Sequence, residues 1–286
     1  MKWMQMSKMP PLGRNERYPL PNRMSIETSS ACNRTCSFCP QSKYRNYPQR
    51  IMRDDLYHSI ITQIPSTVKC IELFRLNEPL LFKGYIDNVA LLRLMHPRVT
   101  IYCATNGDVI KAQKNQVEYM VELQRAGINV MSIDMYDDDT KWAFDLCNKL
   151  VTYRMFDYTE HRYQAHPVNK MHITIAKIGQ KVGGVTSSWT NCDMKDIVAP
   201  TRRCPRPMRH FVVLYDGHVP LCCVINPEKD GNPIMGDMNK NTLIDIWNNE
   251  KFYKYRRALQ DGDRTLAGCN NCDAKVAYAH VVRRVK

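Results

Sequence analysis

The sequence lacks any long apolar run. No stretch reaches the roughly 18 apolar residues of a membrane span, so no membrane association is expected. An export signal is missing too. Residues 1–21, read as an N-terminal extension, are polar and proline-bearing, without the apolar centre of a secretory peptide, and a cytoplasmic location is expected. Internal repeats and low-complexity tracts are absent, which argues against solenoid and disordered architectures. Acidic residues are scarce beside basic ones, 28 against 41, for a formal net charge of +13. That imbalance fits an anionic partner, nucleic acid among them, or simply a dispersed basic surface.

What the chain does have is cysteine. Twelve thiols without an export signal point to a reducing compartment, where cysteine serves metals or catalysis rather than disulfides. A hydrophobic fraction of 44% with 24% charged residues is enough for a sizeable core, and 286 residues allow a catalytic domain plus a smaller one.

From Met24 to about Ala176, short β-rich runs alternate with amphipathic stretches, predicting βα units and a parallel sheet. Strands are predicted at Met24–Thr28, Cys70–Leu76, Val99–Ala104, Val130–Asp134, Val151–Phe156 and His172–Ala176. Leu56, Ile60 and Ile64 mark one helical face; Ile86, Val89, Ala90 and Leu94 mark a second. Val117, Met120 and Val121 mark a third, ended near Gly127, and Trp142 with Leu146 a fourth. The Gly, Ser and Thr cluster at Gly183–Thr190 interrupts the periodicity, dividing a domain of residues 22–190 from one of residues 191–286. In the latter, Phe211–Tyr215 and His218–Cys222 flank Asp216-Gly217, a hairpin signal. Leu243–Leu259 reads as a single helix with Ile246, Trp247 and Tyr253 inward.

Cys32, Cys36 and Cys39 form Cys-x-x-x-Cys-x-x-Cys directly after the first predicted strand, where parallel sheets build active sites. Three thiolates hold three irons of a [4Fe–4S] cubane and leave the fourth open to a ligand. Cys204, Cys222, Cys269 and Cys272 form a second set, Cys-x12-Gly-x4-Cys around Gly217 followed by Cys-x2-Cys. Four thiolates close a cluster, and by spacing alone tetrahedral zinc competes. Cys192 is the alternative ligand. Cys223 falls on the opposite strand face, and Cys70, Cys103 and Cys147 read as buried small hydrophobes.

The triad resembles the defining motif of the radical S-adenosylmethionine (SAM) superfamily. The resemblance implies a partial (β/α)6 barrel of α/β class, with SAM chelating the open iron and cleaved reductively to a 5′-deoxyadenosyl radical that abstracts hydrogen from substrate. Phe38 matches the aromatic near the adenine. Leu76-Asn77-Glu78-Pro79 stands where the family has a Gly-Gly-Glu-Pro-like motif, with Glu78 keeping the acceptor for the methionine amino group. Thr105-Asn106-Gly107-Asp108 is similar to the family's Thr-Asn-Gly turn beside the cofactor, and Ser132 and Asp134 occupy the usual place of ribose contacts.

The C-terminal set resembles SPASM and twitch auxiliary-cluster domains, a small β-hairpin plus helix. The Met235-Gly236-Asp237-Met238 and Leu243-Ile244-Asp245-Ile246-Trp247 stretches and Arg256 belong to that resemblance, and the lack of cysteine after Cys272 implies one auxiliary [4Fe–4S] cluster. The text Cys32-Asn33-Arg34-Thr35-Cys36 is similar to twitch enzymes that dehydrogenate a carbinol and pass an electron to the auxiliary cluster. Their arginine before a Gly-Gly pair is replaced here by Lys181 and Val182. The resemblance implies a small polar or sugar-like substrate and a flavodoxin- or ferredoxin-type reductant. A peptide-modifying maturase and a four-cysteine zinc protein binding nucleic acid are the alternatives.

Overall fold

The computed structural model describes residues 18–36, 39, 50–153, 155–159, 170–177, 203–225, 232–270 and 272. Its strands and helices alternate: β1 (Arg23–Ile26), α1 (Asp54–Thr62), β2 (Cys70–Glu72), α2 (Tyr85–Met95), β3 (Thr100–Thr105), α3 (Asp108–Lys111), α4 (Gln116–Ala126), β4 (Val130–Met135), α5 (Lys141–Leu150), β5 (Phe156–Thr159) and β6 (Met171–Lys177). There follow β7 (His210–Val213), β8 (His218–Pro220), β9 (Ile234–Asp237), α6 (Leu243–Trp247) and α7 (Glu250–Asp261).

Seven strands form one all-parallel sheet in the order β5-β6-β4-β3-β2-β1-β7. Its two faces differ. Met24, Ile71, Ile101, Cys103, Met131, Ile133 and Ile173 are fully buried on the helix side, where Cys103 meets Tyr85 of α2. The alternate residues, Ser25, Glu72, Tyr102, Ser132, His172, Thr174 and His210, lie on the other face. Period-2 alternation puts the polar groups on the concave side of the sheet and the apolar ones against the helices.

Several expectations are corrected. Predicted strand 151–156 begins only at Phe156, because α5 runs to Leu150 and residues 151–153 close it as a turn. The predicted hairpin around Asp216-Gly217 is split between two sheets. β7, buried along its whole length, joins β1 in parallel, while β8 pairs antiparallel with β9. A strand buried along its whole length suits a parallel sheet covered on both faces better than a half-exposed hairpin. The predicted helix 243–259 is two helices, because the Asn249 side chain accepts from Phe252 N and starts α7 anew. Leu94, expected on an apolar face, is 78% exposed. Among the described residues no helix is long and apolar enough to cross a membrane.

The C-terminal helices are anchored by a buried arginine. Arg256 stacks on Trp247 and Phe252, 3.6 and 3.9 Å from the ring centroids, and donates Nε to Pro207 O at 2.7 Å. Burial pulls its pKa down to about 9. Trp247 is core, as its apolar neighbours implied, with Nε1 donating to Pro19 O at 3.1 Å.

Candidate active site and auxiliary thiol site

The segment after β1 carries Cys32, Cys36 and Cys39 across the C-terminal edge of the sheet. It is held at its root: Met52 N bonds Thr28 O at 2.9 Å, and Glu78 N bonds Ala31 O at 2.7 Å. The thiols are partly exposed, and burial raises the pKa of Cys32 and Cys36 while the Arg34 charge opposes the rise.

Two motifs that are separate in sequence prove to be one unit. Arg34, inside the cysteine loop, pairs with Asp108 through Nε at 2.7 Å and Nη2 at 2.5 Å, and reaches Asp137 at 2.9 Å. Asn33 donates to Asp108 Oδ2 at 2.8 Å and accepts from Asn106 Nδ2 at 2.8 Å. The loop is thereby docked on the turn that ends β3. That turn needs its glycine: Gly107 has φ +79°, and a Cβ there would stand 2.9 Å from Trp142.

Glu78 lies beneath the same turn. Its carboxylate accepts from Thr105 Oγ1 at 2.7 Å, Asn106 N at 2.7 Å and Leu80 N at 3.2 Å. Burial pushes its pKa up to about 7 against these hydrogen bonds. Asn77 folds the preceding loop, accepting from Arg75 N at 2.9 Å and donating to Ser29 Oγ at 3.3 Å. Ser132 and Asp134 bond each other at 2.7 Å on the concave side of β4. Six of the expected cofactor residues (Asn77, Glu78, Thr105, Asn106, Ser132 and Asp134) thus line one edge of one sheet. Phe38, Lys181 and Cys192 lie outside the described residues, as does the expected boundary near residue 190.

Cys204, Cys222, Cys269 and Cys272 are all buried, 6–7% exposed. Cys204 N bonds Leu259 O at the end of α7, and Cys272 N bonds Cys269 O. Burial lifts Cys222 well above the usual thiol range, with charges on Cys223, Cys204 and Cys269 adding to the rise. Cys269, pushed up to about 12 by burial, feels Cys204 and Cys272 as well. Among the described residues no three His, Cys, Asp or Glu side chains gather closely enough to hold a metal ion. The fit therefore rests on donor chemistry. Burial disfavours the thiolates of Cys222 and Cys269, and a polycationic iron–sulfur core is what would let them ionise.

Topology sets the two thiol groups at opposite ends of the sheet. β7 runs parallel to β1, and the chain turns back at Asp216-Gly217, bringing Cys222 and Cys223 down to the level where β7 starts. Cys223 accordingly meets His210, the first residue of β7. Cys103 and Cys147 are buried as expected, whereas Cys70 is partly exposed.

Residues 204–273 match the SPASM family, an iron–sulfur cluster-binding domain, over a span that takes in all four C-terminal cysteines. The match and the fold together define an all-parallel sheet followed by an iron–sulfur cluster-binding SPASM domain. More particularly, the chain is 25% identical over 259 residues to the S-adenosyl-L-methionine-dependent 2-deoxy-scyllo-inosamine dehydrogenase of Niallia circulans, covering 87% of this chain and 92% of the relative. In fold it is similar to the crystal structure of BtrN in complex with AdoMet and 2-DOIA, with a TM-score of 0.66, 22% identity, and 90% and 94% of the two chains covered. Native anSMEcpe with bound AdoMet shares the fold at a TM-score of 0.51 and 14% identity over 84% of each chain.

Proposed function

We propose that the chain is a radical SAM dehydrogenase acting on a small polar or sugar-like alcohol. Cys32, Cys36 and Cys39 would hold a [4Fe–4S] cluster with one open iron, and Cys204, Cys222, Cys269 and Cys272 an auxiliary one. With SAM on the open iron, the first cluster supplies one-electron cleavage and hydrogen-atom abstraction.

The chain's own residues bind and orient. Glu78 accepts the amino N–H of SAM, and the hydrogen bonds from Thr105, Asn106 and Leu80 hold its carboxylate in place. Ser132 and Asp134, bonded to each other on β4, would meet the ribose, and the resemblance gives Phe38 the adenine contact. Arg34 and Asn33 fix the cysteine loop, whose thiols would hold the cluster, against the Asn106–Asp108 turn above Glu78. Lys181, at the place of the proposed base arginine in this type of enzyme, would need a lowered pKa to take the hydroxyl proton. A flavodoxin- or ferredoxin-type protein would supply the initiating electron.

The observation that carries this reading is the docking of the Cys-Asn-Arg-Thr-Cys loop onto the turn that also bonds Glu78. It joins the cluster ligands and the SAM acceptor in one hydrogen-bonded unit. Support for dehydrogenation comes from the near full-length likeness to a SAM-dependent dehydrogenase.

Oxygen-protected protein should contain about eight irons, from two four-iron clusters, and should cleave SAM under reductant. Cys36→Ala should abolish cleavage. Cys269→Ala should halve the iron, spare cleavage and block substrate oxidation. Zinc in place of iron, or cleavage that survives Cys36→Ala, overturns the assignment.

A further inference from the structure

At the N-terminal edge of the sheet, away from the SAM side, a second polar cluster is buried on the concave face. His210, 3% exposed, places Nε2 2.7 Å from Ser25 Oγ and 3.4 Å from Glu72 Oε2. Ser25 also bonds Glu72, and Arg23 pairs with Glu72. The other ring nitrogen, Nδ1, is buried, and the Cys223 thiol lies beside the ring within reach of a hydrogen bond. Three strands therefore converge a carboxylate, a hydroxyl and an imidazole on the loop that carries Cys222. Neither the SAM side nor the cysteine set uses them.

We propose that His210 is the proton partner of the auxiliary site, taking up one proton when that site gains one electron. The inference rests on the two-cluster reading above. The balance is simple: one electron enters the cluster, one proton enters His210 from solvent, and no bond to substrate changes in this step. An added negative charge in a buried, weakly screened site favours a neighbouring cation, and an imidazole anchored by a carboxylate can become one.

The surroundings poise the ring for this. Burial opposes its protonation, while the Glu72 carboxylate 3.4 Å from Nε2 favours it. The charged and titratable groups around it are Arg23 on β1, Cys70 and Glu72 on β2, Cys223 on the following loop, and Arg206, which acts on Cys223. Glu72 is held well below the usual carboxylate range, burial being overcome by Arg23 and His210, so it remains an anion as the ring titrates.

The test is a redox titration, followed by EPR, of full-length protein in which Cys32, Cys36 and Cys39 are alanine, so that only the auxiliary cluster is present. With His210 intact the potential should fall as pH rises, by up to about 59 mV per unit, the value of a tenfold change for one electron. His210→Gln should flatten the dependence. Glu72→Gln keeps the imidazole but removes the anion that favours its protonation, so the break in slope should move to lower pH. A pH-independent potential with His210 present, or an unchanged slope in His210→Gln, overturns the inference. Should His210→Gln not hold the cluster, Glu72→Gln decides, and an unmoved break refutes the proposal. Failure of the alanine-triad protein to take up any iron sinks the two-cluster reading itself.

Discussion

Glu78 offers the sharpest test of the SAM side. Its carboxyl is 2% exposed, and burial raises its pKa to about 7, although Asn106 N, Thr105 Oγ1 and Leu80 N all stabilise the anion. Only the ionised form accepts a hydrogen bond from the amino group of SAM on both oxygens. The ionised fraction is about one-tenth at pH 6, half at pH 7 and nine-tenths at pH 8 for a pKa of about 7. The dissociation constant of SAM should therefore fall about tenfold from pH 6 to pH 8. Glu78→Gln exchanges a charge-assisted bond for a neutral one. That costs about 1.5–3 kcal/mol, or roughly 10- to 150-fold in affinity, and removes Glu78's part of the slope. Protons released by SAM itself are common to both proteins, so the difference between slopes isolates Glu78. Equilibrium dialysis of oxygen-protected protein against SAM at pH 6, 7 and 8 measures it. Parallel slopes in the two proteins would refute the assignment. The same carboxyl has a stability signature. Folded Glu78 keeps its proton up to about pH 7 while the unfolded side chain loses it near 4.5, so SAM-free protein should lose stability as pH climbs through that window. Glu78→Gln should remove this loss.

Asp108→Asn breaks the forked pair with Arg34. Because both groups are partly solvated, thermal unfolding should show only about 1 kcal/mol of loss, while iron retention by the N-terminal triad should drop more clearly. Gly107→Ala forces a side chain into a left-handed conformation and against Trp142, and should cost about 1–3 kcal/mol in urea unfolding. An unchanged midpoint would mean that the turn is not under that constraint. Arg256→Ala removes a stacked, buried guanidinium and its bonds to Pro207 O and Trp247 O, and should cost roughly 3 kcal/mol by the same assay.

Local rules carried the sequence reading furthest where the signal and the structure share a length scale. The βα alternation, the N-terminal triad and Gly127 at the end of α4 are all contained within a few turns of chain, and each lies where periodicity and spacing put it. The Asn248-Asn249 pair was legible too, since asparagine caps helices, but the apolar pattern running through both helices hid the break. The fate of β7 was not legible. The Asp216-Gly217 turn forms, yet which sheet a four-residue apolar run joins depends on an open edge beside β1, far away in sequence. Arg34 and Asp108 are 74 positions apart, and Ser25 and His210 are 185. No spacing rule links such residues; only the packed sheet does.

The placement of β7 changes how the two halves relate. A C-terminal appendage joined by a tether could move freely and carry its thiols anywhere. Here the segment between Cys204 and Cys222 contributes a strand to the main sheet, and further ties fasten the rest: Arg75 to Ile225 O, Gln63 Oε1 to Leu243 N at 2.8 Å, and Trp247 to Pro19 O. The distance between the two thiol groups is thus set by the length of strands rather than by a linker. Electron transfer falls steeply with separation, so the two-cluster enzyme proposed above would need that rigidity between its thiol groups.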